Sequence, residues 1–244
     1  MIALNRRNLF VLVAGTMSAF AGAARAADPI KVGTDATFPP FEYTEAGKRT
    51  GFDVELIEAI GKVLNRPIEW TEIDFKGLVP GLIANRFDVA ASAIYITEER
   101  LKVVNFTDSY YPGGLVIMTK TGNTAIKGPD DLAGKKVSVQ VGTKSVGYLK
   151  EKYPNIERVE VEKNQEMFAL VETGRADAAV TGKPAAKVYV KARGTLQVVE
   201  PSLTVEEYGF ALRKADGELI KQFNAALKTL KADGTYDKLV AKYL

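Results

Sequence analysis

The chain has 244 residues, of which 33 are Lys or Arg and 30 are Asp or Glu, and it contains neither cysteine nor histidine. The two missing residue types exclude a thiol nucleophile, disulfide bonds, a cysteine-linked lipid anchor, a Ser-His-Asp triad and any zinc site built on His or Cys. Catalysis would therefore depend on carboxylates, lysine or tyrosine. We expect no metal and no cofactor.

The N-terminal segment has the pattern of a secretory signal peptide. Arg6 and Arg7 precede an uncharged, mostly apolar run at 9–24, and Ala24-Arg25-Ala26 provides a cleavage signal. We predict that residues 1–26 are removed and that the mature protein diffuses freely in a periplasm. Loss of three arginines leaves 30 basic and 30 acidic residues, so the charge gives no reason to expect nucleic-acid binding.

The first half of the mature chain alternates strands with helices. In chain order, the predicted elements are a strand at 30–34, a hairpin at 42–50, a helix at 54–64 with Asp53 as its N-cap, a strand at 67–72, a helix at 78–84 and a strand at 88–94. This alternation is typical of a parallel sheet covered by helices, so the predicted fold class is α/β.

The loop at 35–41 follows the first strand and contains Pro39 and Pro40, which remove ladder donors and end the strand. Open α/β sheets bind ligands at the carboxyl ends of their strands. Asp35 and the aromatic residues of this loop are therefore a candidate pocket wall, and Phe75 follows the second strand in the same way. The alternative is an aromatic loop that only packs on the core.

The stretch at 87–111 carries the clearest candidate for an anion site. After its strand, Thr97 is the predicted N-cap of a helix whose first turn contains Glu98, Glu99 and Arg100. A guanidinium beside free backbone N–H groups is matched to a carboxylate. The alternative is a surface arginine paired with one of the two glutamates.

The second half repeats the order of the first. Its predicted elements are a strand at 115–120, a short capped helix at 128–135, a strand at 136–140, a loop at 141–145, a helix at 146–153, a strand at 156–161, a helix at 165–172 and a strand at 176–180, followed by a strand at 205–213 and helices at 217–231 and 235–243. The segments LIANRFDVAASA and LVETGRADAAVT, which begin at Leu82 and Leu170, both place Arg-x-Asp before a strand. We infer two lobes of similar structure.

Several motifs together resemble a known family. GTDATFPPFEY, GFDVELIEAIGK, DFKGLVPGL, the run ending ITEER, NFTDSYY and LKTLKADGTYDKL are similar to the family 3 extracytoplasmic solute-binding proteins, the polar amino-acid-binding receptors of bacterial ABC importers, with the glutamine- and basic-amino-acid-binding members most alike. The resemblance implies a two-lobed periplasmic-binding-protein (Venus flytrap) fold with a mostly parallel sheet in each lobe. Lobe 1 would contain residues 27–111 and 208–244, and lobe 2 residues 112–207. Two crossing strands near 111–115 and 203–208 would form the hinge.

The resemblance also implies a set of ligand-binding residues. Arg100 would hold the ligand's α-carboxylate, aided by the backbone at Ala93 and Tyr95. The other implied contacts are Asp35 with the polar end of the ligand, Phe38 and Phe75 on either side of its stem, Gln140 facing its side chain, and Thr143, Lys144 and Ser145 donating hydrogen bonds to the carboxylate.

Two residues depart from the family pattern. Gly182 stands where the family usually has an Asp that holds the α-ammonium, so either Asp35 or another acid replaces it, or the ligand is not an ordinary α-amino acid. Tyr95 stands where Ser or Thr is common, and its ring could either crowd the pocket or stack on the ligand. A desolvated ammonium without a partner costs several kcal/mol, so the missing acid is expected to matter.

We therefore expect a monomeric periplasmic binding protein, not an enzyme, that binds a glutamine-like or basic amino acid between two lobes and delivers it to a membrane permease. One alternative is an enzyme resembling cyclohexadienyl dehydratase, which would need a pocket carboxylic acid with a raised pKa, with Asp35 as the main candidate. The other is a receptor for a non-standard amino acid or an opine-like carboxylate.

Overall fold

Two five-stranded sheets with the same topology form the two lobes of the computed structural model, which describes residues 28–244. The predicted signal peptide lies outside the described residues. The strands of the first sheet are β1 (Ile30–Thr34), β5 (Ile68–Glu72), β6 (Val89–Ala90), β7 (Val104–Phe106) and β15 (Ala211–Arg213). Those of the second sheet are β9 (Leu115–Lys120), β10 (Lys136–Gln140), β11 (Glu157–Val161), β12 (Ala178–Gly182) and β13 (Leu196–Val199). The predicted α/β class and the two-lobed fold are confirmed.

The strand orders are β5-β1-β6-β15-β7 and β11-β10-β12-β9-β13. In each sheet the first three strands are parallel and the fourth is antiparallel to its neighbours. The carboxyl ends of β1 and β10 are followed by the loops that carry most of the candidate site. Such ends are where open α/β sheets place their ligands.

The remaining elements surround these sheets. Short strands are β2 (Thr37–Phe38), β3 (Glu42–Glu45), β4 (Lys48–Thr50), β8 (Tyr111–Pro112) and β14 (Glu207–Tyr208). The helices are α1 (Phe52–Val63), α2 (Leu78–Ile83), α3 (Glu98–Leu101), α4 (Lys144–Lys152), α5 (Asn164–Glu172), α6 (Lys183–Arg193), α7 (Gly217–Ala232) and α8 (Thr235–Tyr243), with single 3-10 turns at Phe75–Gly77 and Pro129–Leu132. No helix within residues 28–244 is long and apolar enough to cross a bilayer.

The aspartate of the repeated Arg-x-Asp motif makes the same hydrogen bond in each lobe. Asp88 Oδ2 accepts a hydrogen bond from Lys31 N–H (2.9 Å), and Asp177 Oδ2 accepts one from Lys136 N–H (2.8 Å). Each aspartate thereby fastens the loop before one central strand to the start of the neighbouring strand. The two motif copies thus occupy equivalent places in the two sheets.

The lobes are connected by an antiparallel strand pair. Tyr111 and Pro112 of β8 pair with Tyr208 and Glu207 of β14. The predicted strand at 205–213 is in fact split at Gly209, so that β14 belongs to this pair and β15 to the first sheet. The helix α6 and the strands β7 and β13 were not predicted.

The predicted N-cap at Asp53 is wrong, because α1 begins at Phe52, two residues before the predicted start, and Gly51 is its cap. Gly51 has φ 123°, a conformation that L side chains rarely adopt. Asp53 is fully buried within the first turn, and its carboxylate points to the pocket backbone described below. A short acid at a helix start is typical of a cap, which is why the sequence pattern misplaced it.

Gly51→Ala is expected to lower the free energy of unfolding by about 2–4 kcal/mol. The alanine would have to adopt a strained positive φ, and its Cβ would also overlap a neighbouring backbone atom. A Cβ at Gly51 would lie 2.2 Å from the Phe41 carbonyl oxygen. Gly47→Ala is the matched control, because Gly47 also has positive φ (75°) but no atom within 4 Å of the added Cβ. Chemical denaturation of both variants measures the difference, and equal losses would show that the overlap is relieved without cost.

Candidate functional site

A cavity lies between the two lobes, near the ends of β1, β10 and β12. It encloses about 410 Å³ that no protein atom occupies. Its lining residues are Phe38, Phe75, Ser92, Ala93, Tyr95, Leu115, Gln140, Thr143, Lys144, Ser145, Asn164, Met167, Val180, Thr181, Gly182 and Tyr208. Nine of the eleven predicted site residues are in this lining, and the exceptions are Asp35 and Arg100.

Asp35 is 1% exposed and lies behind the cavity wall. Thr37 Oγ1 (3.0 Å) and Phe75 N–H (3.1 Å) donate to its carboxylate from the same lobe. Gln140 Nε2 (2.8 Å) and Lys163 Nζ (3.2 Å) donate to it from across the cleft. Burial raises the pKa of this carboxyl, and the charge of Lys163 opposes the rise. A carboxylate has about four acceptor directions, so the carboxylate of Asp35 is fully occupied, and two of its four hydrogen bonds join the lobes.

Further contacts cross the same cleft. Lys163 Nζ also lies 2.7 Å from Asp74 Oδ1, and Lys76 forms a salt bridge with Glu162. Gln165 Nε2 donates to the Thr37 carbonyl oxygen at 3.1 Å. The lobes are therefore in contact, which is the closed arrangement of a two-lobed binding protein.

Arg100 lies at the rim, in an outer groove that shares Phe75 and Thr143 with the cavity. Its guanidinium donates to the carbonyl oxygens of Tyr95 (2.9 Å) and, in the second lobe, Gly142 (3.3 Å). The guanidinium carbon is 5.7 Å from the centre of the Phe75 ring. Arg100 forms no salt bridge with any residue of 28–244, so the predicted alternative of a pair with an adjacent glutamate does not occur.

The charge on Arg100 persists in this environment. Burial lowers the pKa of the guanidinium to about 10, and nearby Glu99 opposes that decrease. The group is therefore cationic at neutral pH, while two of its five N–H donors are directed to carbonyl oxygens. A partly desolvated cation without a counter-ion is electrostatically suited to an anion.

The first turn of α4 faces the cleft beside this guanidinium. Thr143 is the N-cap residue, and the backbone N–H groups that follow have no partner within the helix. The Lys144 ammonium lies 2.8 Å from Glu206 Oε1, so its charge is already balanced. Lys144 and Ser145 line the cavity near these donors. A helix N-terminus and an unpaired guanidinium both favour a carboxylate at this point.

The buried carboxyl groups of Asp53 and Glu42 accept hydrogen bonds from Ala93 and Ser92, which line the cavity. Ala93 has φ 42°, in the left-handed region, and its N–H donates to Asp53 Oδ2 at 2.8 Å. Tyr110 OH donates to the same oxygen at 2.7 Å, and Ser92 Oγ donates to Glu42 Oε1 at 2.9 Å. Burial raises the pKa of Asp53 to about 7 and that of Glu42 well above its usual range. Asp53 thus stabilises a strained backbone that lines the pocket.

Gln140, predicted to face the ligand, lines the cavity with its polar atoms engaged. Besides Asp35, its Nε2 donates to the Glu162 carbonyl oxygen at 3.0 Å, and its Oε1 accepts from Asn164 Nδ2 at 2.9 Å. Asn164 was not predicted as a site residue. Its only sequence signal is its place shortly after β11, where it is the first residue of α5.

The wall at Gly182 is formed by two phenol groups. A Cβ added there would lie 2.5 Å from Tyr208 Oη and 3.1 Å from Tyr95 Oη. The two rings stack with centroids 4.4 Å apart. Tyr208 was predicted only as part of a strand. The remaining lining residues that the sequence did not identify are Ser92, Leu115, Met167, Val180 and Thr181.

These features define a class: an α/β protein of two lobes that closes over a small solute. A family model described as bacterial extracellular solute-binding proteins, family 3, matches residues 30–244. The chain belongs to this family, which confirms the resemblance found in the motifs. Members of the family are extracytoplasmic receptors of ABC importers.

Particular relatives are similar over nearly the whole chain. ABC transporter arginine-binding protein 1 of Escherichia coli (strain K12) is 31% identical over 235 residues, which cover 94% of this chain and 96% of that protein. An ancestral arginine-binding protein bound to glutamine has a TM-score of 0.84 at 40% identity, covering 88% of this chain and 97% of that one. An ancestral amino acid-binding protein, described as a precursor of cyclohexadienyl dehydratase, has a TM-score of 0.83 at 41% identity, covering 88% and 95%.

Proposed function

We propose that this protein captures a small carboxylate of amino-acid size in a periplasm and delivers it to the membrane permease of an ABC importer. The observation that carries the proposal is Arg100, a cation that has no salt-bridge partner among residues 28–244 and that spans the rim between the two lobes. Arg100 and the first turn of α4 would receive the carboxylate from opposite sides. Such a ligand stabilises the closed form because it contacts both lobes at once.

The other predicted site residues fit around such a ligand. Phe38 stacks on Phe41 with ring centroids 5.9 Å apart, which holds it against the cavity. Phe38 and Phe75 would contact the body of the ligand. The Tyr95 backbone N–H and the Ser145 hydroxyl would complete the shell of the carboxylate. The Ala93 N–H and the Thr143 hydroxyl, which the resemblance also implied, instead donate to Asp53 Oδ2 (2.8 Å) and to the Gln140 carbonyl oxygen (2.7 Å).

The pocket chemistry supports a neutral ligand side chain, glutamine-like in polarity, over a basic one. A buried ammonium or guanidinium of the ligand would need a free carboxylate. Asp35, the residue expected to provide it, already accepts four hydrogen bonds. Among residues 28–244, Lys144 is the only charged residue in the cavity lining, and it is a cation.

We propose that lobe 1 contains residues 27–111 and 208–244 and that lobe 2 contains residues 112–207, and the strand pair that joins the sheets supports these boundaries. The pairing of β8 with β14 is short, which suits a hinge that absorbs the change between open and closed forms. We propose that the protein acts as a monomer.

A ligand screen with two readouts tests the proposal. The mature protein is heated with each of the common amino acids, 2-hydroxy acids and small dicarboxylates, and each compound that raises the melting temperature is then titrated by calorimetry. A ligand at 100 times its Kd stabilises by about 2.7 kcal/mol, which is readily detected. Small-angle X-ray scattering is expected to show a smaller radius of gyration with the bound carboxylate.

A carboxamide control shows whether binding depends on the negative charge of the ligand. The carboxamide analogue of each positive compound has no negative charge and is expected not to bind. A panel in which no carboxylate raises the melting temperature, or in which the carboxamide binds equally well, would contradict the proposal.

A second candidate function is catalysis similar to that of cyclohexadienyl dehydratase, supported by the likeness to the ancestral precursor of that enzyme. It requires a protonated carboxyl aimed at a leaving group. The raised pKa of Asp35 fits this requirement, whereas its four hydrogen bonds and its place behind the cavity wall do not. Incubation with a cyclohexadienyl substrate tests it, and the appearance of a dehydrated aromatic product would establish an enzyme.

A further inference from the structure

A pair of tyrosines forms the part of the cavity wall beside Gly182. Tyr208 and Tyr95 are 0% and 6% exposed, and their hydroxyl oxygens would lie 2.5 Å and 3.1 Å from a Cβ at Gly182. They fill the space in which a side chain at position 182 would begin. This part of the wall is therefore made of neutral phenols.

The hydrogen bonds already made by Tyr95 and Tyr208 determine whether the two phenols can donate to a ligand or accept from it. Tyr208 OH donates to Tyr95 Oη at 2.9 Å, and Tyr95 OH donates to the Gly114 carbonyl oxygen at 2.9 Å. Tyr95 Oη also accepts from Gly114 N–H at 3.1 Å. A phenol oxygen accepts about two hydrogen bonds, so Tyr95 Oη is saturated and Tyr208 Oη still has free lone pairs. The pair can accept a hydrogen bond from a ligand but has no proton left to donate.

Neither phenol can supply a negative charge near neutral pH. Burial raises the pKa of Tyr95 to about 12 and the pKa of Tyr208 well above its usual range. Among the other acids near this wall, Asp35 accepts four hydrogen bonds and Glu206 pairs with Lys144. Asp53 accepts hydrogen bonds from Ala93 N–H and Tyr110 OH, and burial raises the pKa of Glu42 well above its usual range. An ammonium that enters this cavity would lose its hydration without gaining an ionic partner.

We propose that the physiological ligand class is the 2-hydroxy acids with a neutral side chain, whose 2-hydroxyl donates to Tyr208 Oη where an amino acid would place an ammonium. This inference rests on the proposed function and narrows its ligand. A hydroxyl is uncharged, so it loses less hydration free energy than an ammonium when it is buried. It can also donate a hydrogen bond to the free lone pairs of Tyr208 Oη. A 2-oxo acid has no proton to donate and binds more weakly.

Matched pairs of ligands test the proposal on the unaltered protein. Calorimetry compares L-glutamine with (S)-2-hydroxyglutaramate, L-methionine with (S)-2-hydroxy-4-(methylthio)butanoate, and L-leucine with (S)-2-hydroxy-4-methylpentanoate. In at least one pair the hydroxy acid is expected to bind about tenfold or more tightly than the amino acid, a factor worth about 1.4 kcal/mol. Tighter binding of the amino acid in every pair, or no binding of any hydroxy acid, overturns the proposal.

A charge-restoring variant gives an independent readout. Tyr208→Phe removes the hydroxyl that lies 2.5 Å from the Cβ position of residue 182, and adding Gly182→Asp then places a carboxylate at the wall. Relative to Tyr208→Phe alone, the double variant is expected to shift the Kd ratio by about 30-fold towards the amino acid. An unchanged ratio in a folded double variant contradicts the proposal, and if that variant does not fold, the matched pairs decide.

Binding data distinguish a wrong ligand specificity from a wrong receptor function. If amino acids bind well and hydroxy acids do not, the carboxylate receptor stands and the hydroxy-acid specificity is wrong. If no carboxylate binds, both are wrong.

Discussion

Arg100→Ala is expected to weaken binding of the carboxylate ligand by about 100-fold or more, since truncating one partner of a desolvated, hydrogen-bonded charge pair costs about 2–5 kcal/mol. The guanidinium has no counter-ion within residues 28–244, and its pKa of about 10 keeps it charged. In the bound state the ligand's carboxylate supplies the missing charge. Calorimetric titration of a ligand found in the screen measures the loss.

Two variants control this experiment. Arg100→Lys keeps the charge but loses the planar fork, so we expect an intermediate Kd. Arg86→Ala removes an exposed arginine from the same lobe and is expected to leave the Kd unchanged. If Arg100→Ala binds with the affinity of the unaltered protein, Arg100 is not part of the site.

Asp35→Ala is expected to weaken ligand binding by about 30-fold or more and to shift the protein towards its open form, since removing one member of a buried charge pair costs several kcal/mol. Asp35 is 1% exposed and receives donors from Gln140 and Lys163 of the opposite lobe. These two contacts exist only when the lobes meet. Their loss therefore destabilises the closed form specifically, whereas each lobe keeps its own core.

Asp74→Ala is the matched control, because Asp74 pairs with the same Lys163 ammonium but its side chain is 47% exposed. Exposed ion pairs contribute at most about 1 kcal/mol. Fluorescence energy transfer between labels on the two lobes, measured with and without ligand, reports closure directly. Equal effects of the two substitutions would show that the buried contact at Asp35 has no special part in closure.

The sequence predicted the architecture well because strand and helix periodicity is local. The Arg-x-Asp repeat identified two equivalent strand starts, and both aspartates make the same backbone contact. Pro39 and Pro40 predicted a loop after the first strand, and β1 ends at Thr34. The sequence pattern did not predict the helix α6, because its buried residues, Ala185 and Ala186, are too small to produce a clear apolar stripe.

The site was harder to predict because its contacts join residues far apart in the chain. Tyr95 and Tyr208 are 113 residues apart, and the sequence shows only two tyrosines near strands. Asp53 looked like a helix cap, and nothing local shows that it binds Ala93 N–H from 40 residues away. Whether Asp35 is free or saturated depends on Gln140 and Lys163, which only the folding of the second lobe brings near.

A crystal structure of the mature protein with a ligand from the screen would show where the carboxylate of the ligand binds. We expect the carboxylate of the ligand to accept hydrogen bonds from the Arg100 guanidinium and from the backbone of the first turn of α4, with both lobes in contact with the ligand. A ligand whose carboxylate lies away from Arg100, or a guanidinium that points into solvent while the cleft is occupied, would contradict the account.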